Sequence, residues 1–233
     1  MIETAFGPSM VFENATEAWE FWYNELVQQN KGDDSRDGAI RGELMNVLCT
    51  ITDPTRGIVN SKIRKMPMRY AVGELLWYLS GSNSVKDIAH YSKVWERLSD
   101  DGETVNSAYG HRIFDRFGFD QWEWVKQELR DNPASRRAVI HIKDPSNTPT
   151  KDMPCTCLLQ FFVRNGALHL TVYMRSNDIW MGFPYDVFSF TCMQVKMAFE
   201  LGLDIGYYTH IAGSLHLYER DVPKEAEDGK TAQ

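Results

Sequence analysis

Cysteine is scarce in this chain: four among 233 residues, at 49, 155, 157 and 192. Cys155 and Cys157 stand too close for a zinc-knuckle pair, and no second Cys/His pair sits at a supporting distance, so no metal site is expected. Positive charge is in deficit, with 25 Lys and Arg against 32 Asp and Glu and a formal charge of −7. That balance argues against wholesale duplex binding, which needs a broad basic surface to displace counterions. No apolar run is long enough to span a membrane and no signal peptide opens the chain, so a reducing, cytoplasmic setting is the default. Repeats, low-complexity linkers and composition breaks are lacking as well. At 43% apolar the chain can bury a full core, and residues 1–233 read as one domain with a polar tail from about Val222.

What is present alternates between helix and strand signals. Asn14 caps an aromatic-rich helix running to about Gln29, with Glu17 reaching back. Lys31 to Gly42 reads as a loop and Leu44 to Thr52 as a strand ended by Asp53 and Pro54. Met68 to Leu79 and Phe119 to Leu129 have helical spacing, and Arg137 to Ile142 is a short buried strand. Val187 to Leu201 carries Phe188, Cys192, Val195 and Phe199 along one stripe, with Gly202 as its terminator and Asp186 as its N-cap candidate. Tyr207 to Ile211 reads as a strand, and the alternation from Ser214 to Tyr218 puts His216 and Tyr218 on one face. Helices and strands without strict βαβ order give an α+β class.

The most informative stretch runs from Met153 to Asp186. A cysteine follows Pro154, a hairpin follows the cysteine, and an Arg-Ser-Asn-Asp run follows the hairpin. Asn165 and Gly166 suit a type I′ turn, because both tolerate positive φ. After the turn Leu168, Leu170, Val172 and Met174 alternate with His169, Thr171, Tyr173 and Arg175. One hairpin thus brings a thiol, a guanidinium and a carboxylate into one neighbourhood.

These residues resemble the thymidylate synthase family, which includes the deoxycytidylate and deoxyuridylate hydroxymethylases. Pro154, Cys155, Gln160 and Phe161 match its cysteine motif, and Arg175, Ser176, Asn177 and Asp178 its phosphate motif. Glu74, Trp95, Tyr109 with Gly110, the run ending at Arg137, and His216 with Tyr218 follow in family order, from about Asp34 to Arg220. The resemblance implies a bent mixed β-sheet flanked by helices, with one sheet face at a homodimer interface. It also implies a pyrimidine nucleoside monophosphate as substrate and 5,10-methylenetetrahydrofolate as co-substrate, with no nucleic acid polymer, no metal and no membrane. A phage origin, with a host cytoplasm as the setting, fits the cytosine-modifying members.

The roles carried over are specific. Cys155 is the nucleophile, its pKa lowered by arginines from three segments; Cys157 is packing. Arg36, with Arg41 as its competitor, Arg175 and the Arg136–Arg137 pair are the phosphate donors, the pair reaching across from the partner subunit. Ser176, Asn177 and Gln160 are grouped with the substrate, and His216 and Tyr218 with the sugar hydroxyl. Glu74 is a carboxylate of raised pKa that relays protons, and Tyr109 joins the catalytic group. Trp95 and Asp178 face the folate. Asp186 decides specificity, since thymidylate synthases carry asparagine there, whereas the deoxycytidylate hydroxymethylases carry aspartate, and a carboxylate accepts from the exocyclic amine of cytosine. Aspartate at this point, the Arg-Ser-Asn-Asp spelling and Cys-Thr at 155–156 together point to deoxycytidylate hydroxymethylation. The chain stops fifteen residues after Tyr218, where the hydride-transferring members continue into a tail that closes over the folate. Its absence weakens the thymidylate synthase alternative.

Overall fold

A computed structural model describes residues 8–29, 34–35, 38–145 and 149–222. Strand β1 (Ser9–Phe12) leads into helix α1 (Ala15–Val27), then β2 (Asp34–Ser35) and the long β3 (Gly38–Ile51). Five helices follow: α2 (Met68–Ser80), α3 (Val85–Ala89), α4 (Val94–Leu98), α5 (Tyr109–Phe114) and α6 (Gln121–Asp131). Strands β4 (Val139–His141), β5 (Thr156–Arg164), β6 (Ala167–Met174) and β7 (Asn177–Asp178) precede α7 (Phe183–Leu201) and β8 (Asp204–Tyr218).

The sheet runs β1-β3-β8-β6-β5-β4, with β2 beside β3 and β7 beside β8. β1 lies parallel to β3 and β6 parallel to β8, while β3–β8, β5–β6 and β4–β5 are antiparallel, so the sheet is mixed. The β5–β6 hairpin turns at Asn165 (φ 53°) and Gly166 (φ 79°), and Leu168, Leu170, Val172 and Met174 are all buried. Their core partners are Trp19, Trp22 and Leu26 of α1, Trp122 and Val125 of α6, and Phe183, Val187 and Phe190 of α7. The opposite face exposes Tyr173 (38%) and Tyr207 (52%) among partly exposed Leu48, Thr50, Thr209 and Ile211.

The sheet is bent where the site lies. Asn46, in the middle of β3, sits at φ 56°, a left-handed conformation that interrupts the extended strand. Along the paired β8, burial at Tyr208, His210 and Ala212 resumes at Leu215 and Leu217. The alternation is one residue out of phase, so His216 and Tyr218 face away from that core. Beside the bend a Cβ on Gly213 would stand 2.9 Å from the Arg175 carbonyl oxygen. Only glycine lets the segment carrying Arg175 pass this close to β8.

Several sequence expectations shift. Asn14 caps α1 by accepting from the Glu17 amide, and Glu17 accepts in return from the Glu13 amide and the Asn14 side chain. β3 begins at Gly38, inside the expected loop, because cross-strand pairing with β8 outweighs the local polar composition. The helix expected from Phe119 starts at Gln121, capped by Asp120. The two segments expected around Tyr207 and Tyr218 form one strand. α7 starts at Phe183, so Asp186 lies inside the helix with its amide bonded to the Gly182 carbonyl, and it is not the cap. The stripe expected on α7 holds only in part: Phe188 is buried and Cys192 packs in the same cluster, but Phe199 is 85% exposed, and Val187, Phe190, Met193 and Met197 face the main core. α7 is apolar on nearly every side, so spacing alone does not single out the inward face. The tail beyond Val222 lies outside the described residues. Among the described residues no helix is long and apolar enough to cross a membrane, and no group of His, Cys, Asp and Glu could hold a metal.

Candidate active site

A cleft of about 590 Å³ opens between α2, α4, the Met153–Cys155 segment, the start of α7 and the end of β8. That size suits a small-molecule ligand. Gln194 of α7 donates to the Leu168 and Gly206 carbonyls, which pins the helix to β6 and β8. Trp19 of α1 donates to the Ile179 carbonyl at 2.7 Å and fixes the segment between β7 and α7. The cleft floor is therefore built on rigid elements.

Cys155 lines the cleft just ahead of β5. The β5–β6 register slips between Thr156 and Leu158, and Cys157 occupies the slip outside the cleft. Arg175, immediately after β6, wraps this segment. Its Nε donates to the Pro154 carbonyl, its Nη2 to the Met153 carbonyl at 3.0 Å, and the same Nη2 lies 3.6 Å from the Cys155 sulfur. Burial pushes the Cys155 thiol up to about 11, and the Arg175 charge opposes that shift. Within one chain, and among the described residues, the thiol is thus raised rather than lowered. Among the described residues Arg175 alone of the candidate arginines reaches the sulfur, and desolvation of a nearly enclosed anion outweighs one exposed cation.

Two carboxyls stand in the same enclosure. Glu74 of α2 is 5% exposed and accepts from the Tyr70 hydroxyl at 2.7 Å. Burial raises it to about 7, against hydrogen bonds from Tyr70 and Tyr78 that pull it down. Tyr70, Glu74 and Tyr78 follow one another at four-residue spacing, so one helix face presents all three. Asp186 is 9% exposed and raised to about 8, by burial first and the Glu74 charge second, opposed by a 2.8 Å bond from Asn177.

The other expected residues divide. Ser176, Asp178, His216, Tyr218, Tyr109 and Trp95 line the cleft. Ser176 Oγ is 3.5 Å from His216 Nδ1, and the His216 and Tyr218 rings meet edge to face at 5.0 Å. Asp178 Oδ1 accepts from the Trp180 and Met181 amides and so shapes its own turn. The Tyr109 hydroxyl accepts from the Thr156 amide, next to the nucleophile. Asn177 also lines the cleft, but its side chain is spent on neighbours within the protein. Gln160 does not reach the cleft: its amide donates to the Arg136 carbonyl. Arg136 and Arg137 are exposed and do not line it either, and Arg137 pairs with Glu128 at 3.1 Å. Arg36 lies outside the described residues.

Sequence reasoning missed Tyr70, Tyr78, Tyr185, Lys151 and Asp152, all in the lining. The spacing of the two tyrosines around Glu74 held the signal for that pair. Asp152, three residues before the cysteine, accepts from the Ser107 hydroxyl and amide, and burial raises its carboxyl.

The family model described as thymidylate synthase matches residues 22–229. A deoxyuridylate hydroxymethyltransferase from Bacillus phage SP01 is 35% identical over 194 residues, 77% of this chain and 51% of that protein. The chain therefore spans about half the length of that curated relative. The crystal structure of thymidylate synthase from T4 phage aligns with a TM-score of 0.75 at 24% identity, covering 91% of this chain and 78% of that one. That likeness is one of fold.

Proposed function

The chain belongs to the thymidylate synthase family, and on that premise we propose that it is a one-carbon transferase converting deoxycytidylate to its 5-hydroxymethyl derivative. The observation that carries the base assignment is Asp186, a buried carboxyl lining the cleft that also holds Cys155 and Arg175. Ionised, it accepts from the exocyclic amine of cytosine and cannot donate to the 4-oxygen of uracil; as the neutral acid it donates to ring N3 of cytosine. The SP01 relative's name supports the hydroxymethyl product, and it also supports the second reading, deoxyuridylate as substrate. A deoxycytidylate methylase and a thymidylate synthase stand behind these two.

The residues present fit a reduced folate. Trp77 and Trp95, with ring centroids 5.2 Å apart, join Leu98, Met181 and Tyr185 as an apolar wall beside the Asp178 carboxyl. Methylenetetrahydrofolate, when bound there, supplies the one-carbon unit. Cys155 adds through its sulfur to carbon 6 of the pyrimidine, which makes carbon 5 nucleophilic. Arg175, 3.6 Å from that sulfur, stabilises the thiolate as it forms. Glu74, raised to about 7, changes protonation near neutral pH and moves protons through water to the ring. His216 and Tyr218 hold the sugar hydroxyl, and Arg175 with Arg36 holds the phosphate. Carbon 5 takes the one-carbon unit and gives up its proton as tetrahydrofolate leaves; water then adds to the exocyclic carbon, and the carbon 6–sulfur bond breaks to free Cys155 and the hydroxymethyl product.

The proposal includes a homodimer. The uncovered sheet face around Tyr173, Tyr207 and Ile211 supplies an apolar surface, and Arg136 and Arg137, exposed outside their own cleft, complete the phosphate site of a second copy, with Arg137 giving up its surface pair with Glu128 to do so. Mass spectrometry of the product from dCMP and dUMP, each with methylenetetrahydrofolate, tests the assignment. Folate-dependent release of tritium from carbon 5 separates an active enzyme from a family member that only binds nucleotide.

A further inference from the structure

Behind Asp186 lies a buried chain of polar groups that runs through Asn177 and His210 to Tyr208. His210 is 1% exposed, and burial lowers its pKa to about 3, so the ring is neutral. Its Nδ1 lies 2.8 Å from the Tyr208 hydroxyl and its Nε2 3.0 Å from Asn177 Oδ1. An amide oxygen only accepts, so Nε2 carries the ring proton, and Nδ1 accepts from Tyr208. On the other side of the amide, Asn177 Nδ2 donates to Asp186 Oδ2 at 2.8 Å. The surroundings leave no slack. Asn177 is 3% exposed on a strand paired to β8 at Leu215. A Cβ on Gly182 would come within 2.8 Å of Asn177 Nδ2 and 3.3 Å of Asp186 Oδ2.

We propose that Asn177 is a positioning residue that sets substrate specificity, holding Asp186 Oδ2 as an obligatory acceptor so that Oδ1 alone meets the base. The proposal rests on the reading that Asp186 faces the pyrimidine. A carboxyl can occupy either of two flipped orientations and carry its proton on either oxygen. With Oδ2 claimed by a donor inside the protein, any proton sits on Oδ1, towards the substrate. The neutral acid then donates to ring N3 of cytosine, and the anion accepts from the exocyclic amine. Without Asn177 the carboxyl turns and protonates either way, and that distinction is lost. Asn177 thereby acts through Asp186, in place of the direct substrate contact expected from the sequence.

The test measures kcat/KM for dCMP and dUMP in wild type, Asp186→Asn, Asn177→Leu, which keeps the branching without the hydrogen bonds, and the smaller Asn177→Ser. The expected result is a fall in the dCMP-to-dUMP ratio of roughly tenfold or more in both Asn177 variants. A ratio cancels the fraction of folded enzyme, so a merely structural loss leaves it unchanged. If Asp186→Asn changes the ratio and both Asn177 variants keep it, the inference is overturned. If Asp186→Asn also keeps it, the reading of Asp186 itself has failed. Nitrogen-15 NMR of histidine-labelled wild type needs no variant. It should show His210 neutral with the proton on Nε2 between pH 6 and 8; a proton on Nδ1 overturns the directional chain.

Discussion

Replacing Asp186 by Asn is the sharpest perturbation of the proposed site. The carboxyl is 9% exposed, so a mismatch there is not relieved by water. An ionised Asp186 opposite the 4-oxygen of uracil sets acceptor against acceptor, a buried mispair costing about 2–3 kcal/mol, or roughly thirty- to a hundred-and-fifty-fold in kcat/KM. In the variant the Asn177 amide donates to the introduced carbonyl and turns the new NH₂ towards the base, where it donates to that oxygen. Preference should therefore move from dCMP to dUMP by about that factor. Protonation adds a second signature. Asp186 titrates at about 8, raised by burial and by Glu74 on α2 and Asp178 on β7, and opposed by Asn177. Tyr78, Tyr109, Tyr208 and the Cys155 thiol are its other titratable neighbours, all held protonated by burial. The neutral acid can donate to the uracil oxygen, so the wild-type preference for dCMP should be greater at pH 9 than at pH 6. The ratio should lose that dependence in Asp186→Asn. Steady-state kinetics with both nucleotides at the two pH values read this out. A wild type that prefers dUMP, or a variant with an unchanged ratio, refutes the reasoning.

Cys155→Ser should abolish turnover while leaving nucleotide binding by calorimetry largely intact, and Cys157→Ser should cost far less; near-normal turnover in the first would remove the covalent step. Because burial holds Cys155 at about 11, iodoacetamide should label it more slowly than free cysteine at pH 7.5, and more slowly still in Arg175→Gln; labelling at the free-thiol rate contradicts that. Glu74 is raised from 4.5 to about 7, so its neutral form contributes stability at low pH that is lost as pH rises through 7. Glu74→Gln should accordingly gain on wild type between pH 5 and pH 9 in urea midpoint, and a difference constant with pH argues against a neutral Glu74. Inactive Arg137→Ala and Cys155→Ser proteins should regain activity on mixing if each cleft borrows Arg137 from its partner, whereas a fully active monomer in sedimentation excludes sharing.

Much was fixed by local chemistry. Asn165 and Gly166 can take positive φ, and the alternating residues after them can bury only one face, so the hairpin and its core side were legible in the chain. The Arg-Ser-Asn-Asp run and the cysteine before β5 likewise named the neighbourhood, since a tight turn must return the strand to where it began. Tertiary structure decided what those residues do to one another. Within one chain the thiol of Cys155 is raised, because its pKa answers to enclosure and to how many cations reach the sulfur, and neither is a property of sequence spacing. Asp186 looked like a helix cap until packing started α7 at Phe183 and turned the carboxyl into the cleft. Asn177 read as a substrate ligand until His210, thirty-three residues on, claimed its oxygen. Such contacts join residues distant in the chain, and their direction follows from which lone pairs and protons burial leaves without water.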